Sequence, residues 1–231
     1  MASTGAVGGT FLGRLPAPVR QELLALGSDR LYRGGEHLIT FGARDRYVVI
    51  LRTGRAKVIA TTPGGRTTLL GIRMPGDVVG ELSIVDGRPR SASVVAAGEL
   101  SGRVVPGPAF SAFLDHHPRV ARELMRMIGE RLRAADRRRV EFAYEVPTRV
   151  LCLLVEWLEA RPEDPRTDVE VWLTQREIAE LIGAAEVSVQ KAMRMFSRAG
   201  LVATTYGRVV VPSPGRLATE AQRLTETHRA T

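Results

Sequence analysis

The sequence predicts an α+β chain in three successive parts: a small jelly-roll-like β-roll, one long helix and a helix-turn-helix. Three observations predict it. Up to about Val105, the β-rich runs YVVILR, AKVIAT, TTLLGI and ASVVAA are separated by turn residues at steps of ten or eleven, at Gly54, Gly64 with Gly65, Gly76, Gly87 and Gly98; that is the rhythm of hairpins. From Pro118 to about Tyr144, apolar residues recur at three- and four-residue steps, the period of a helix face. From Thr174, a capping signal opens a pair of helical stretches that turn at Gly183.

Composition bounds the class. A chain of 231 residues at 44% apolar content holds one large or two ordinary domains with real cores. No apolar run approaches the roughly 20 residues of a membrane-spanning helix, and the opening MASTGAVGGT lacks the basic and apolar regions of a signal peptide, so a cytoplasmic protein is expected. Cys152 stands alone, which excludes an intramolecular disulfide, a CxxC redox pair and a four-cysteine cluster. A net charge of +8 and a pI near 10.6 favour a polyanionic partner. His37, His116, His117 and His228 are scattered, and there is no HExxH, nucleophile elbow or GxxxxGK[ST] loop. No catalytic residue and no metal site is therefore assigned; His116 and His117 read as a solvated helix start.

In chain order, Ala17 to Leu26 reads as a short helix, with Pro18 in its first turn and Gly27 just past its end. The β-rich section follows. The helix from Pro118 carries Met125, Ile128, Leu132, Ala135 and Phe142 in one seam. At about 40 Å, from 1.5 Å per residue, it exceeds what a small roll can bury, so the seam is expected to meet a second copy of itself; packing on its own domain is the alternative. Arg131, Arg133, Arg137, Arg138 and Arg139 read as a solvated face. Glu145, Val146 and Pro147 interrupt the run as a hinge. Pro147 suits the first turn of a further helix, whose face is Val150, Leu151, Leu154, Trp157 and Leu158 with Cys152 packed among them. A loop, RPEDPRTD, leads to a short strand, VEVWL.

Thr174 and Glu177 form a capping box at the start of the next helix, which buries Ile178, Leu181 and Ile182. After Gly183, a second helix turns Val189, Ala192, Met193 and Phe196 inward and ends at Gly200. Its outer face presents Glu186, Val187, Ser188, Gln190, Lys191 and Arg194. A packed helical hairpin and a DNA reader are the two readings of this pair. In the second, Gln190 and Lys191 suit base edges, while Thr174, Gln175, Arg176, Ser188 and Arg194 lie where phosphates pass. LVATTYGRVVVP gives two β runs joined through Tyr206 and Gly207, with Arg208 in reach of a phosphate. A helical tail follows Pro214, frayed over TETHRAT.

The stretch richest in chemistry is GELSIVDGRPRSA, from Gly80 to Ala92. It places the carboxylate of Glu81, the guanidinium of Arg90, the hydroxyl of Ser91 and several backbone N–H groups in one loop that also holds Gly80, Leu82 and Ala92. That inventory suits a cyclic sugar phosphate: a carboxylate accepts from a ribose 2′-hydroxyl, and a guanidinium fork and turn N–H groups donate to phosphate oxygens. The plainer alternative is a hairpin whose Glu and Arg pair across a solvated turn.

The string resembles the phosphate-binding cassette of cyclic-nucleotide-binding domains. With the helix pair downstream, the chain resembles the cyclic AMP receptor protein/FNR (Crp/Fnr) family of bacterial transcription regulators. The resemblance implies a cyclic-nucleotide-binding β-roll (1–117), a long dimerisation helix and hinge (118–145), a winged helix-turn-helix domain (146–215) and a tail (216–231). It implies a homodimer on near-palindromic double-stranded DNA, with cyclic AMP, or cyclic GMP, as effector rather than a tightly bound cofactor. RNA polymerase is a further partner the family suggests. In cyclic-AMP-responsive members, polar side chains partway along the long helix contact adenine. Here those positions fall on Ala135 and Asp136, or on Ala134 and Ala135; an inward Asp136 suits the N1–H and amino group of guanine. Many members carry Ser-Arg-Glu at the start of the recognition helix, where this chain has Ala185, Glu186 and Val187, so the best-known family operator is not expected. The alternatives within the family are a regulator active without ligand, its cassette retained as structure, or one that answers a cyclic dinucleotide or haem.

Overall fold

A computed structural model describes residues 9–61, 67–159, 168–205 and 207–229. The turn expected at Gly64 and Gly65, nearly all of the RPEDPRTD loop, and Tyr206 lie outside the described residues. The chain forms two compact units, Met1–Gly129 and Glu130–Thr231.

Among its described residues the first unit holds eight strands: β1 (Ser28–Tyr32), β2 (His37–Ile39), β3 (Tyr47–Thr53), β4 (Ala56–Thr61), β5 (Thr67–Arg73), β6 (Val78–Val79), β7 (Ser93–Ala96) and β8 (Leu100–Pro106). They make two antiparallel sheets, in the orders β1-β8-β3-β6 and β2-β7-β4-β5. The four runs read from the sequence are β3, β4, β5 and β7. The others escape the pattern: β1 exposes four of its five residues, and β6 has only two.

β3 explains the double core. Its residues 48–51 are all buried, the mark of a strand covered on both faces. Val49 and Leu51 point into the space between the sheets with Tyr32, Leu38, Val79, Val94 and Leu100. Val48 and Ile50 point the other way, to Phe11, Leu12, Leu23, Phe110, Phe113, Val120 and Leu124. This second layer is helical: a 3-10 turn (Leu12–Arg14), α1 (Ala17–Ala25), a one-turn α2 (Leu82–Val85), α3 (Gly107–His116) and the start of α4 (Pro118–Glu141).

Several expectations are corrected here. The segment GPAFSAFLDH is a helix that the β-rich reading stopped short of, although Pro108 in its first turn and the buried Phe110 and Phe113 signal it. His116 is its last residue, and His117 joins it to α4, whose first backbone bonds, from Val120 and Ala121 N–H, the His117 carbonyl accepts; His117 also lies 3.0 Å from Glu22. The long helix also ends at Glu141, three residues before Tyr144. Its seam divides: Val120, Leu124 and Met127 bury against the roll, with Ile128 packed beside them, while Met125 and Leu132 are 64% and 61% exposed.

In the second unit α5 (Val146–Glu159) buries Val150, Leu151, Leu153 and Leu154, and the lone strand β9 (Val169–Val171) joins β11 (Arg208–Val211) and β10 (Ala203–Thr205) in a small sheet. α6 (Gln175–Ile182) and α7 (Glu186–Arg198) follow β9. The tail is α8 (Pro214–Arg229), seated on α5 through the buried Leu217 and Ala221; the helix runs through TETHR, where fraying was expected.

Candidate functional site

The cassette begins at a glycine whose backbone angle and close neighbours disfavour any side chain. Gly80 has φ +85°, and a Cβ there would meet Arg90 Nη1 at 2.7 Å and the Tyr47 carbonyl at 2.9 Å. The missing side chain is where the guanidinium passes. Arg90 Nη1 donates to the Gly80 carbonyl at 2.8 Å and to Ser83 Oγ at 2.6 Å; Nη2 donates to the Tyr47 carbonyl at 2.7 Å. Nε donates to Asp45 Oδ1 at 2.8 Å, and the guanidinium carbon stands 4.8 Å from the centre of the Tyr47 ring. The Arg90 side chain is 1% exposed and its Asp45 partner 42%.

Glu81 is buried as well, at the start of α2, and Ser83 donates back to the Gly80 carbonyl at 3.1 Å. The solvated Glu–Arg hairpin is thus not what forms. Leu82 and Ser91 are exposed and Ala92 half-buried, so all six cassette residues belong to one loop, with the two charged ones inside it. Ser93, two residues on, is the hydroxyl that accepts a loop N–H, from Phe41 at 2.9 Å. Asp45, Tyr47 and Ser83 were missed in the sequence. Ser83 lies within the quoted string. Asp45 and Tyr47 sit more than forty residues upstream of Arg90, where no spacing rule points to them.

Ala135 and Asp136 belong to the second unit and are exposed on α4; the adjacent Ala134 is buried.

The helix pair is built as its caps require. Thr174 Oγ1 accepts from the Glu177 N–H at 3.1 Å while Glu177 accepts from the Thr174 N–H at 2.9 Å, a reciprocal capping box that fixes where α6 begins. Gly183 ends it at φ +62°, and a Cβ there would lie 2.7 Å from Phe142 Cε1. Arg149 locks the same corner: Nη1 donates to the Ile182 carbonyl at 2.9 Å, with its guanidinium 5.8 Å from the Phe142 ring centre. The chain just past α4 is thereby packed on the turn that aims α7, a link the sequence did not disclose.

On α7, Val189, Ala192, Met193 and Phe196 are buried as expected, while Glu186, Val187, Lys191 and Arg194 are exposed and Ser188 and Gln190 half-buried. Gln190 Nε2 donates to Glu186 Oε1 at 3.3 Å. Around it, Arg176 pairs with Glu180 at 3.1 Å, and Thr174 and Gln175 are half-buried. Arg208 is held to Glu170 at 3.0 Å and lies over the Trp172 ring at 5.1 Å, so its guanidinium is already engaged. Among the described residues no cluster of three or more metal-ligating side chains occurs, and no helix is long and apolar enough to cross a membrane.

Comparison with known proteins recognises a domain in each half of the chain. Residues 29–117 match the cyclic nucleotide-binding domain and residues 148–220 the Crp-like helix-turn-helix domain. The chain is 31% identical over 181 residues to a CRP-like cAMP-activated global transcriptional regulator of Mycobacterium tuberculosis, covering 77% of this chain and 80% of that protein. Among solved structures it resembles FixK2 from Bradyrhizobium japonicum, at TM-score 0.71 and 21% identity over 84% of this chain and 96% of that one. It also resembles the Thermus thermophilus catabolite activator protein, at TM-score 0.52 and 25% identity over 93% and 99%. The chain belongs to the Crp/Fnr family of transcription regulators, with a cyclic-nucleotide-binding domain followed by a Crp-like helix-turn-helix.

Proposed function

We propose that this member of the Crp/Fnr family is a cytoplasmic homodimer whose affinity for a near-palindromic DNA site is set by a cyclic nucleotide held in the cassette 80–92. The observation that carries the reading is the burial of Glu81 and Arg90 together in one loop. Burying two charged side chains is costly, and a protein that needed only a turn would place them in water. Glu81 takes the ribose hydroxyl, Arg90 with Ser91 and the loop N–H groups the phosphate, and Gly80, Leu82 and Ala92 shape the wall.

Cyclic AMP is the first candidate, since the mycobacterial relative is named as cAMP-activated. Cyclic GMP is the rival, because α4 offers Ala135 and Asp136 where hydroxyl or amide contacts to adenine are expected. The exposed Met125 and Leu132 supply a face for a second copy of α4. In the dimer the two α7 helices enter successive major grooves about 34 Å apart. Gln190 and Lys191 then read base edges with Glu186 and Val187 beside them, while Thr174, Gln175, Arg176, Ser188, Arg194 and Arg208 lie toward the backbone. A nucleotide that prefers one arrangement of the paired helices shifts the population competent for DNA. RNA polymerase is a further partner for the bound dimer.

Calorimetric titration of the full chain with each nucleotide tests the sensing half. Saturable binding of one of them is expected; absence of binding by both leaves a DNA-binding dimer whose cassette is structural or serves another effector. A melting-temperature screen extended to cyclic dinucleotides separates those cases, because a ligand selective for the folded state raises the transition.

A further inference from the structure

We propose that Asp45 is a built-in competitor for the anion seat of the cassette: its carboxylate holds the Nε edge of Arg90, and a phosphate-bearing ligand binds by exchanging with it. The inference rests on reading 80–92 as a cyclic-nucleotide cassette and adds what sets its threshold.

A guanidinium has five N–H donors. In Arg90, Nη1 serves the Gly80 carbonyl and Ser83 Oγ, Nη2 serves the Tyr47 carbonyl, and Nε serves Asp45. Three of these partners are neutral and belong to the loop framework; one is an anion. A phosphate brought to the same guanidinium would meet the carboxylate at a few ångströms, where like charges repel, so the charged partner is the one that must give way.

Exposure decides which group moves. Arg90 is 1% exposed and has no route to water, whereas Asp45 is 42% exposed and turns into water once a phosphate supplies the anion that the buried guanidinium requires. The loop itself need not follow. The Gly42 N–H donates to the Arg90 carbonyl and the Arg90 N–H to the Ala43 carbonyl, at 2.9 and 3.0 Å, so backbone bonds keep residues 42–43 on the cassette when the carboxylate departs. Asp45 thereby multiplies the intrinsic affinity by the fraction of time the seat is open.

The test is calorimetric titration of cyclic AMP and cyclic GMP into the full-length wild type, Asp45→Asn, Asp45→Ser and Asp45→Glu. The proposal expects Asn and Ser to bind about tenfold more tightly, as a seat open about a tenth of the time requires, and Glu to stay within about twofold of wild type. Unchanged or weaker binding by both Asn and Ser overturns it, and Asp45 is then a positioning residue for Arg90. Thermal melts accompany each variant. If Asn alone fails to fold, Ser carries the test; if both fail, Asp45 is structural and the proposal is overturned. Should none of the four proteins bind either nucleotide, the cassette reading falls and this inference with it, whereas wild-type binding without a gain in the variants removes this inference alone.

Discussion

The cassette and the recognition helix are both rich in charge, yet they are built in opposite ways. In the cassette, Arg90 is enclosed and four of its donors are satisfied within the chain. On α7, Glu186, Lys191 and Arg194 stand in solvent, with only a 3.3 Å contact from Gln190 to Glu186 among them, and Val187 is 71% exposed. The difference teaches that a seat for one small anion needs pre-placed, desolvated groups, whose removal costs stability. A face for duplex DNA needs reach and counterion release, so its side chains can change with little effect on the fold.

That contrast can be tested at its strongest point first. Arg90→Met removes the charged donor shared by the Gly80 and Tyr47 carbonyls, Ser83 Oγ and Asp45, and is expected to cost about 3 kcal/mol. Trp157 and Trp172 are the chain's two tryptophans and both lie in the second unit, so tryptophan fluorescence follows that unit alone. Urea unfolding should move an early far-ultraviolet circular dichroism transition and leave the fluorescence transition in place. Loss of both together would erase the contrast.

Smaller effects sharpen the second region. Gly183→Ala forces a side chain into left-handed geometry against Phe142, at about 1–2 kcal/mol, visible in the fluorescence transition. Thr174→Ala removes half of the capping box for about 1 kcal/mol. Arg194→Gln, at an exposed position placed toward the backbone, should leave unfolding within about 0.5 kcal/mol while lowering the salt slope of DNA binding by about one. Last, burial, with the Glu141 charge next, pushes the Cys152 thiol up from 9.0 to about 11. The folded chain then keeps a proton that the unfolded chain releases above pH 9, so this group lowers stability as pH rises from about 9 to about 11 and has no effect near neutrality. Urea midpoints measured across that range check the sign.

Much of this was legible in residues whose pattern is local. The capping box, the αL glycine and the inward stripe of α7 are fixed by spacings of three and four, and each stands where the spacing puts it. Glu81 and Arg90 could be picked out because they share one short loop. What stayed hidden depends on contacts made across the fold. Asp45 and Tyr47 reach Arg90 only because β3 runs beside the cassette, and Phe142 meets Gly183 only once α5 has folded back. The division of the α4 seam was equally hidden, since Leu124 and Met125 are neighbours in sequence and opposites in burial.

The direct test of the central claim is the affinity of the full chain for its own selected DNA site, at fixed salt, with and without the nucleotide it binds more tightly. The account predicts a shift of about 5- to 150-fold, the usual range for coupled sites. Equal affinity in saturating nucleotide and in its absence would contradict it.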